Sequence, residues 1–244
     1  MKPITPERLY EILSAQRLRY ASSLLELERK LFENEAFAND GESCFALVTQ
    51  YPHGPGAFFT DYDPGFIKQL LRRCPRLNLS FDLPPGAQLE IGRIRGLKPC
   101  AVSTESFACD GDAPAAPIDP HIRLLAAEEF DLVRPIVRCE DDIKFAEKIF
   151  VWAEGGQIVG YLCCSPSFAD VWDVNHIFTL PEHRGKGIGT ALAYAYLKTM
   201  REQGLVPYYS GVTNPASAAA ARKAGFQLCG TRYAFTYKRP KFKW

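Results

Sequence analysis

No stretch of this 244-residue chain approaches the roughly 18 consecutive apolar residues that a membrane span requires. The opening MKPITPERLYEIL has no continuous apolar run of the kind a secretory signal carries. An excess of one charge is also missing: 29 Lys and Arg oppose 28 Asp and Glu, a formal net charge of +1. Such a chain projects no long-range field, so neither nucleic acid nor a membrane surface is expected as a partner. The locally basic KRPKFKW end reads as a solvated tail. The eight cysteines contain no C-x-x-C pair and the four histidines lack zinc-ligand spacing, so no metal is expected. The thiols suit a reducing, cytoplasmic setting. Cys163 and Cys164, neighbours on an expected strand, should face opposite ways. No self-similarity appears at a fixed period. What remains, with 47% hydrophobic and 23% charged residues, is an ordinary folded chain long enough for one large or two modest domains.

The chemistry is concentrated in His176–Met200, HIFTLPEHRGKGIGTALAYAYLKTM. Ile177 and Phe178 read as a strand end, closed by Pro181, which cannot donate to a ladder. Arg184 to Gly189 then packs three glycines and two cations into six residues. Behind them Ile188, Leu192, Ala195, Tyr196 and Met200 recur at helical spacing, so the turn opens a helix. A helix N-terminus presents unpaired N–H groups and partial positive charge, and glycines let a ligand come close. The physical expectation is a pyrophosphate cradle. A Walker loop is absent, since no G-x-x-x-x-G-K-[ST] string occurs. A dinucleotide fingerprint also fails, because the spacing is G-x-G-x-G and the next strand, Val206 to Val212, carries no acid.

Arg184-x-x-Gly187-x-Gly189 resembles the [RQ]-x-x-G-x-[GA] coenzyme A loop of the GNAT superfamily of acyl-CoA-dependent N-acyltransferases. LPEHRGKGIGTALA, GLVPYYSGV and NPASAAAARKAGF follow in that superfamily's chain order, so the resemblance covers roughly Pro120 to Arg239. Two branches look most similar: glycine N-acyltransferases, through T-L-P-E-x-R-G, and zwittermicin-resistance-type acetyltransferases, through N-x-x-S…K-x-GF. The resemblance implies a mixed sheet whose fourth and fifth strands splay to admit a thioester. It implies acetyl-CoA as acyl-donor co-substrate, its pyrophosphate held by Arg184, Gly185, Lys186, Gly187, Ile188, Gly189 and Thr190. Phe178 and Thr179 would bind the pantetheine arm through their backbone, with Asn214 and Ser217 also on the donor; Asn214 serves equally as a helix cap.

Along the chain, Thr5 to about Phe37 reads as helical, and Cys44–Gln50 and Ala57–Thr60 as strands. A short helix over Phe66–Arg73 and strands near Leu77–Phe81 and Gln88–Ile94 follow. DGDAPAAPIDP, Asp110 to Pro120, is the linker candidate, giving domains at 1–110 and 120–244 joined by 111–119. Helix resumes over Ala126–Arg138 and Ile143–Lys148. A hairpin spans Phe150–Ala153 and Gln157–Cys164, and strands Val171–Thr179 and Pro207–Val212 follow. A helix over Asn214–Lys223 ends at Gly225, before a final hairpin in Phe226–Lys238. The expected class is α+β (mixed α/β): a GNAT fold in the C-terminal half and a smaller α+β N-terminal domain, whose order permits a degenerate second copy.

Acyl transfer from a thioester to an amine needs a base, a polarised carbonyl and a tolerated thiolate. Counting six positions back from Thr179, where glycine N-acyltransferases carry a Glu, gives Asp173 as candidate base. His176 is the rival, placed by strand alternation on the opposite face. The superfamily Tyr that protonates the thiolate is replaced by Ala221, leaving Tyr208, Tyr209 or solvent; Tyr209 is included among the site residues. Cys163 and Cys164 lack a base partner, which favours direct attack over an acyl-enzyme. The expected activity is acetyl transfer to a primary amine of a small molecule. A longer or aromatic acyl-CoA with an amino-acid acceptor, and a non-catalytic acyl-CoA-binding module, are the alternatives. The oligomeric state is not legible.

Overall fold

The computed structural model describes residues 1–29, 32–52, 54–74, 76–83, 97–99, 104–138 and 140–238. Two compact units emerge, Met1–Glu105 with Cys229–Trp244, and Ser106–Leu228.

In the first unit, β1 (Lys2–Ile4), β2 (Asn34–Ala38), β3 (Phe45–Tyr51), β4 (Gly54–Phe59), β5 (Arg76–Leu83) and the chain's last strand β13 (Gln227–Lys238) lie side by side in that order. A short β6 (Leu97–Pro99) also pairs with β13. Among the described residues of this unit only β4 and β5 run parallel, and the crossover between them is helix α3 (Pro64–Arg73). Helices α1 (Pro6–Ser14) and α2 (Ala21–Arg29) sit between β1 and β2 in sequence. Thr5 caps α1 and Pro6 occupies its first turn, where a missing N–H costs nothing. The helical reading to Phe37 is corrected: Asn34–Ala38 pairs on both sides and buries Ala36, Phe37 and Ala38. Pairing on both sides overrides the apparent helical spacing there. The expected strand Gln88–Ile94 lies outside the described residues.

The second unit repeats the order: β8 (Ile122–Leu124), β9 (Lys148–Glu154), β10 (Gln157–Phe168), β11 (Val171–Thr179), β12 (Val206–Val212) and β7 (Thr104–Ala108). Again a parallel pair is spanned by a helix, here α5 (Ile188–Glu202) between β11 and β12. A 3-10 run over Ala127–Ile136 and the short α4 (Glu140–Lys144) replace the two helices expected between β8 and β9. Pro135 inside that run denies the backbone a donor. Helix α6 (Pro215–Ala224) is capped by Asn214 and ends at Gly225, which adopts φ 105°.

Each unit thus takes its sixth strand from beyond its own repeat. In the stretch Phe226–Lys238, expected as a hairpin, Gln227–Lys238 is one continuous strand whose Thr231–Lys238 pairs with Leu83–Arg76. The expected linker is likewise no free tether. Lys198 and Arg201 of α5 donate to the carbonyls of Pro114 and Gly111, and Tyr194 donates to Ala116 at 2.7 Å. Residues 106–119 accordingly belong to the second unit.

In the second unit α5 packs on one sheet face over Phe150, Leu162, Cys164 and Val174. Val133, Ile149, Tyr161 and Cys163 form the core of the other face. Gly160 sets the approach of α5: a Cβ there would lie 3.0 Å from Ile188 Cγ2 and 3.1 Å from the Phe178 carbonyl.

Candidate active site

β11 positions the site, and its register holds a feature that alternation does not show. Against β10 it runs Tyr161↔Phe178, Leu162↔Ile177, Cys163↔His176, then Cys164↔Val174. Asn175 is therefore an extra, bulged residue. Its side-chain oxygen accepts from Ser165 Oγ at 2.9 Å. Strict alternation separates Asp173 from His176; the bulge resets the phase and puts both, with Phe178, on the face away from α5. His176 stacks on Tyr161 with centroids 5.8 Å apart.

A bulge also increases strand twist, and β11 parts from β12 just before it, after Asp173. The two are paired only at Val171↔Val206, Trp172↔Pro207 and Asp173↔Tyr208. Two side chains finish the ladder where the backbones separate. From the α5 side, the buried Tyr196 hydroxyl donates to the Trp172 carbonyl at 2.5 Å and accepts from the Tyr208 N–H at 3.2 Å. From β11 itself, the Asp173 carboxylate accepts the Ser210 N–H at 3.0 Å and the Ser210 hydroxyl at 2.6 Å. Burial pushes the Asp173 carboxyl up to about 6, although both Ser210 bonds pull it down. Neither Ser210 nor Tyr196 was legible as a site residue, because both act through strands brought together only by folding.

Past the fork the chain turns through Pro181–His183 and enters α5 at Gly187, in the left-handed region at φ 84°. No side chain caps α5, so its first amides point into open space. They face a cleft of about 590 Å³, walled by β11 from Ile177 to Thr179, the turn residues Arg184, Gly185 and Gly187, and Asn214 and Ser217 of the α6 start. A Cβ at Gly185, Gly187 or Gly189 would meet nothing within 4 Å. Gly189 has neither a positive φ nor a packing neighbour within that distance to require glycine.

The cleft gathers most of the expected donor residues and sorts their roles. Phe178, Thr179, Arg184, Gly185, Gly187, Ile188, Gly189, Thr190, Tyr209, Asn214 and Ser217 all line it. Lys186 is exposed and is not among its lining residues. The Ile188 side chain is buried under the sheet, leaving its main chain to face the cleft. Arg184 curls back, donating to the Thr179 carbonyl at 3.2 Å with its guanidinium 5.8 Å from the Phe178 ring centre. Asn214 is the α6 cap, accepting from Ser217 N at 2.8 Å. Tyr209 bonds to the Ser217 side chain, and burial raises its phenol. Asp173 and His176 lie outside the cleft lining, at the fork and on the sheet face away from α5. His183 and Lys223, which sequence reasoning did not single out, also line the wall, and Lys223 brings a positive charge to it; the K-x-GF run at Lys223 was the available signal. Among the described residues, no group of three or more His, Cys, Asp or Glu could hold a metal ion. No helix there is long and apolar enough to cross a membrane.

Residues 118–226 match the model of the acetyltransferase (GNAT) family. The fold is a GNAT fold. Solved structures agree over nearly the whole length. A GNAT-family acetyltransferase from Colwellia psychrerythraea is 15% identical with a TM-score of 0.57, and the match covers 97% of this chain and 99% of that one. A GCN5-related N-acetyltransferase from Sphaerobacter thermophilus is 15% identical, with a TM-score of 0.55 and coverage of 100% and 96%. A tandem GNAT protein from the clavulanic acid biosynthesis pathway gives 14% identity, a TM-score of 0.50 and coverage of 99% and 98%. No curated protein sequence matches the chain. The GNAT fold accounts for both units, since each carries the same strand order with a helix crossing its parallel pair.

Proposed function

We propose that the second unit transfers an acetyl group from acetyl-CoA to the primary amine of a small molecule, by direct attack within a ternary complex. The observation that carries this is the uncapped start of α5, opening on a glycine-lined cleft at the mouth of a strand fork. Diphosphate charge suits the exposed amides of residues 188–190 and the helix dipole. Arg184 and Lys223 supply cationic groups around the same cleft. Main-chain groups of β11 near Phe178 and Thr179, released from β12 by the fork, suit the amide-bearing arm of the donor.

The amine nitrogen attacks the thioester carbonyl carbon, the C–S bond breaks, and an amide and a thiol result. Asp173 takes the proton that the amine gives up. A carboxyl near 6 is ionised at neutral pH yet still basic enough to be useful. Tyr209, kept protonated by burial and held at the cleft by Ser217, returns a proton to the departing thiolate. It stands in for the hydroxyl missing at Ala221, which is buried on α6. His176 is a second candidate base. Both Asp173 oxygens are already engaged by Ser210, and the bulge puts His176 on the same face.

The experiment is a thiol-release screen of primary amines with acetyl-CoA and longer acyl-CoAs. Transfer from acetyl-CoA supports the reading. Strong preference for a longer or aromatic acyl group replaces the donor. Donor binding with no thiol release for any amine reduces the unit to a binding module. Asp173→Asn is expected to bind acetyl-CoA and lose about 10²–10⁴-fold in turnover.

A further inference from the structure

Among the residues that line the cleft, His183 carries a ring nitrogen, Nδ1, that is closed to solvent and makes no hydrogen bond. Its backbone is fixed by the 3-10 turn Pro181–His183, where its N–H donates to the Leu180 carbonyl at 2.9 Å. On the closed side stands the Glu154 carboxylate, whose Oε2 lies 3.3 Å from Nδ1. That is ion-pair distance, but off the line that a hydrogen bond wants. Glu154 is held there by its own turn. It ends β9, and Gly155 and Gly156, at φ 57° and 80°, send the chain straight back at Gln157. The His183 side chain is 22% exposed, so with Nδ1 shut in, Nε2 is left as the polar atom that can serve the cleft.

A bound diphosphate sets two anions against one ring. A carboxylate at 3.3 Å is attracted to Nδ1 when that nitrogen carries a proton and repelled when it presents a lone pair. A neutral imidazole has a single N–H, so a proton on Nδ1 leaves Nε2 an acceptor. A diphosphate offers acceptors alone and gains nothing from that tautomer. The imidazolium donates on both sides and satisfies both anions. The other charged groups around His183 are Glu182, Arg184 and Lys186 on its own turn and Lys223 on α6; residues 177–179 of β11 and the first turn of α5 bring none. Of these residue types, histidine is the one whose charge ordinarily changes near neutral pH. Tyr209 stays protonated because burial raises its phenol, and Asp173, raised to about 6, lies outside the cleft lining. We propose that His183 takes up a proton from solvent as the donor binds, its imidazolium bridging Glu154 and the diphosphate, with Glu154 as the positioning residue. The proposal rests on the acetyl-CoA reading of the cleft and adds a pH dependence to it.

Dephospho-coenzyme A is the probe, because it keeps the diphosphate and lacks the phosphomonoester that itself titrates near neutral pH. It is titrated into the full chain by calorimetry at about pH 7.5 in Pipes and in Tris, whose ionisation heats differ. The dependence of the binding heat on the buffer's ionisation heat counts the protons taken up. The native chain is expected to take up about half a proton or more per donor, and its affinity to fall about fivefold or more between pH 6 and 8. His183→Asn should bind with no uptake and a flat pH profile, and Glu154→Gln should take up about half as much as the native chain or less. Should His183→Asn not fold, Glu154→Gln decides. The proposal is overturned, and the donor reading left standing, if the native chain binds without uptake. The same holds if the uptake persists in His183→Asn or is unchanged in Glu154→Gln. No binding at all by the native chain removes the proposal and the donor reading together.

Discussion

Asp173 is pulled two ways, by burial that favours its neutral form and by Ser210 that favours the ion. If it is the base, kcat/KM climbs as pH rises through about 6, because only the ionised carboxylate accepts a proton. Ser210→Ala removes the 2.6 Å hydroxyl bond while the 3.0 Å bond from the backbone N–H persists. The carboxyl then rises further, and the rising limb of the pH–rate profile moves to higher pH. A limb that stays put in Ser210→Ala, or survives in Asp173→Asn, transfers the base role to His176. Stability carries the same signature. A folded carboxyl raised from 3.8 to about 6 favours the fold below pH 4, and that contribution is lost as pH climbs through about 6. Asp173→Asn should flatten that part of the melting profile. Asp173 was put forward by the family resemblance, counted back from Thr179, whereas its partner Ser210 was not. Nothing local in VPYYSGV announces a partner on a strand 37 residues away.

At the level of elements, the fork depends on a bulge, a tyrosine and a glycine. Tyr196→Phe strips the ladder ends at Trp172 O and Tyr208 N of their partner inside the core, which should cost about 1–3 kcal/mol. Gly160→Ala drives a methyl against Ile188 and the Phe178 carbonyl, with a cost of about 1–3 kcal/mol, since that backbone cannot yield cheaply. Denaturant unfolding measures both, and a change within about 0.5 kcal/mol in either case contradicts the packing described. The turn and helix of the cleft were readable because they are local: glycines, cations and a 3.6-residue period lie within one run of sequence. The bulge at Asn175 was not, since two-residue alternation assumes an unbroken ladder. The strand at Asn34–Ala38 and the fate of the last strand were lost for a related reason, because pairing partners decide them.

Both units carry the same strand order, and among the described residues it is the second whose crossover helix opens on a cleft. In the first unit β4 and β5 stay paired through Phe59↔Phe81, leaving no fork there. The turn into α3 is closed by Asp63, whose carboxylate accepts from Gly65 N at 2.8 Å and Phe66 N at 3.0 Å. Those bonds and one from Asn39 hold its carboxyl below the usual range, so a fixed anion already occupies that helix start. On the proposed reading, one donor per chain is the expected stoichiometry. The most direct test is calorimetric titration with acetyl-CoA of the native chain and of Gly189→Leu, whose new side chain meets nothing within 4 Å of its Cβ and so spares the fold while blocking the cleft. The account predicts one site on the native chain, and no measurable binding by a variant that melts at an unchanged or higher temperature. Undiminished binding in Gly189→Leu, or none by the native chain, contradicts it.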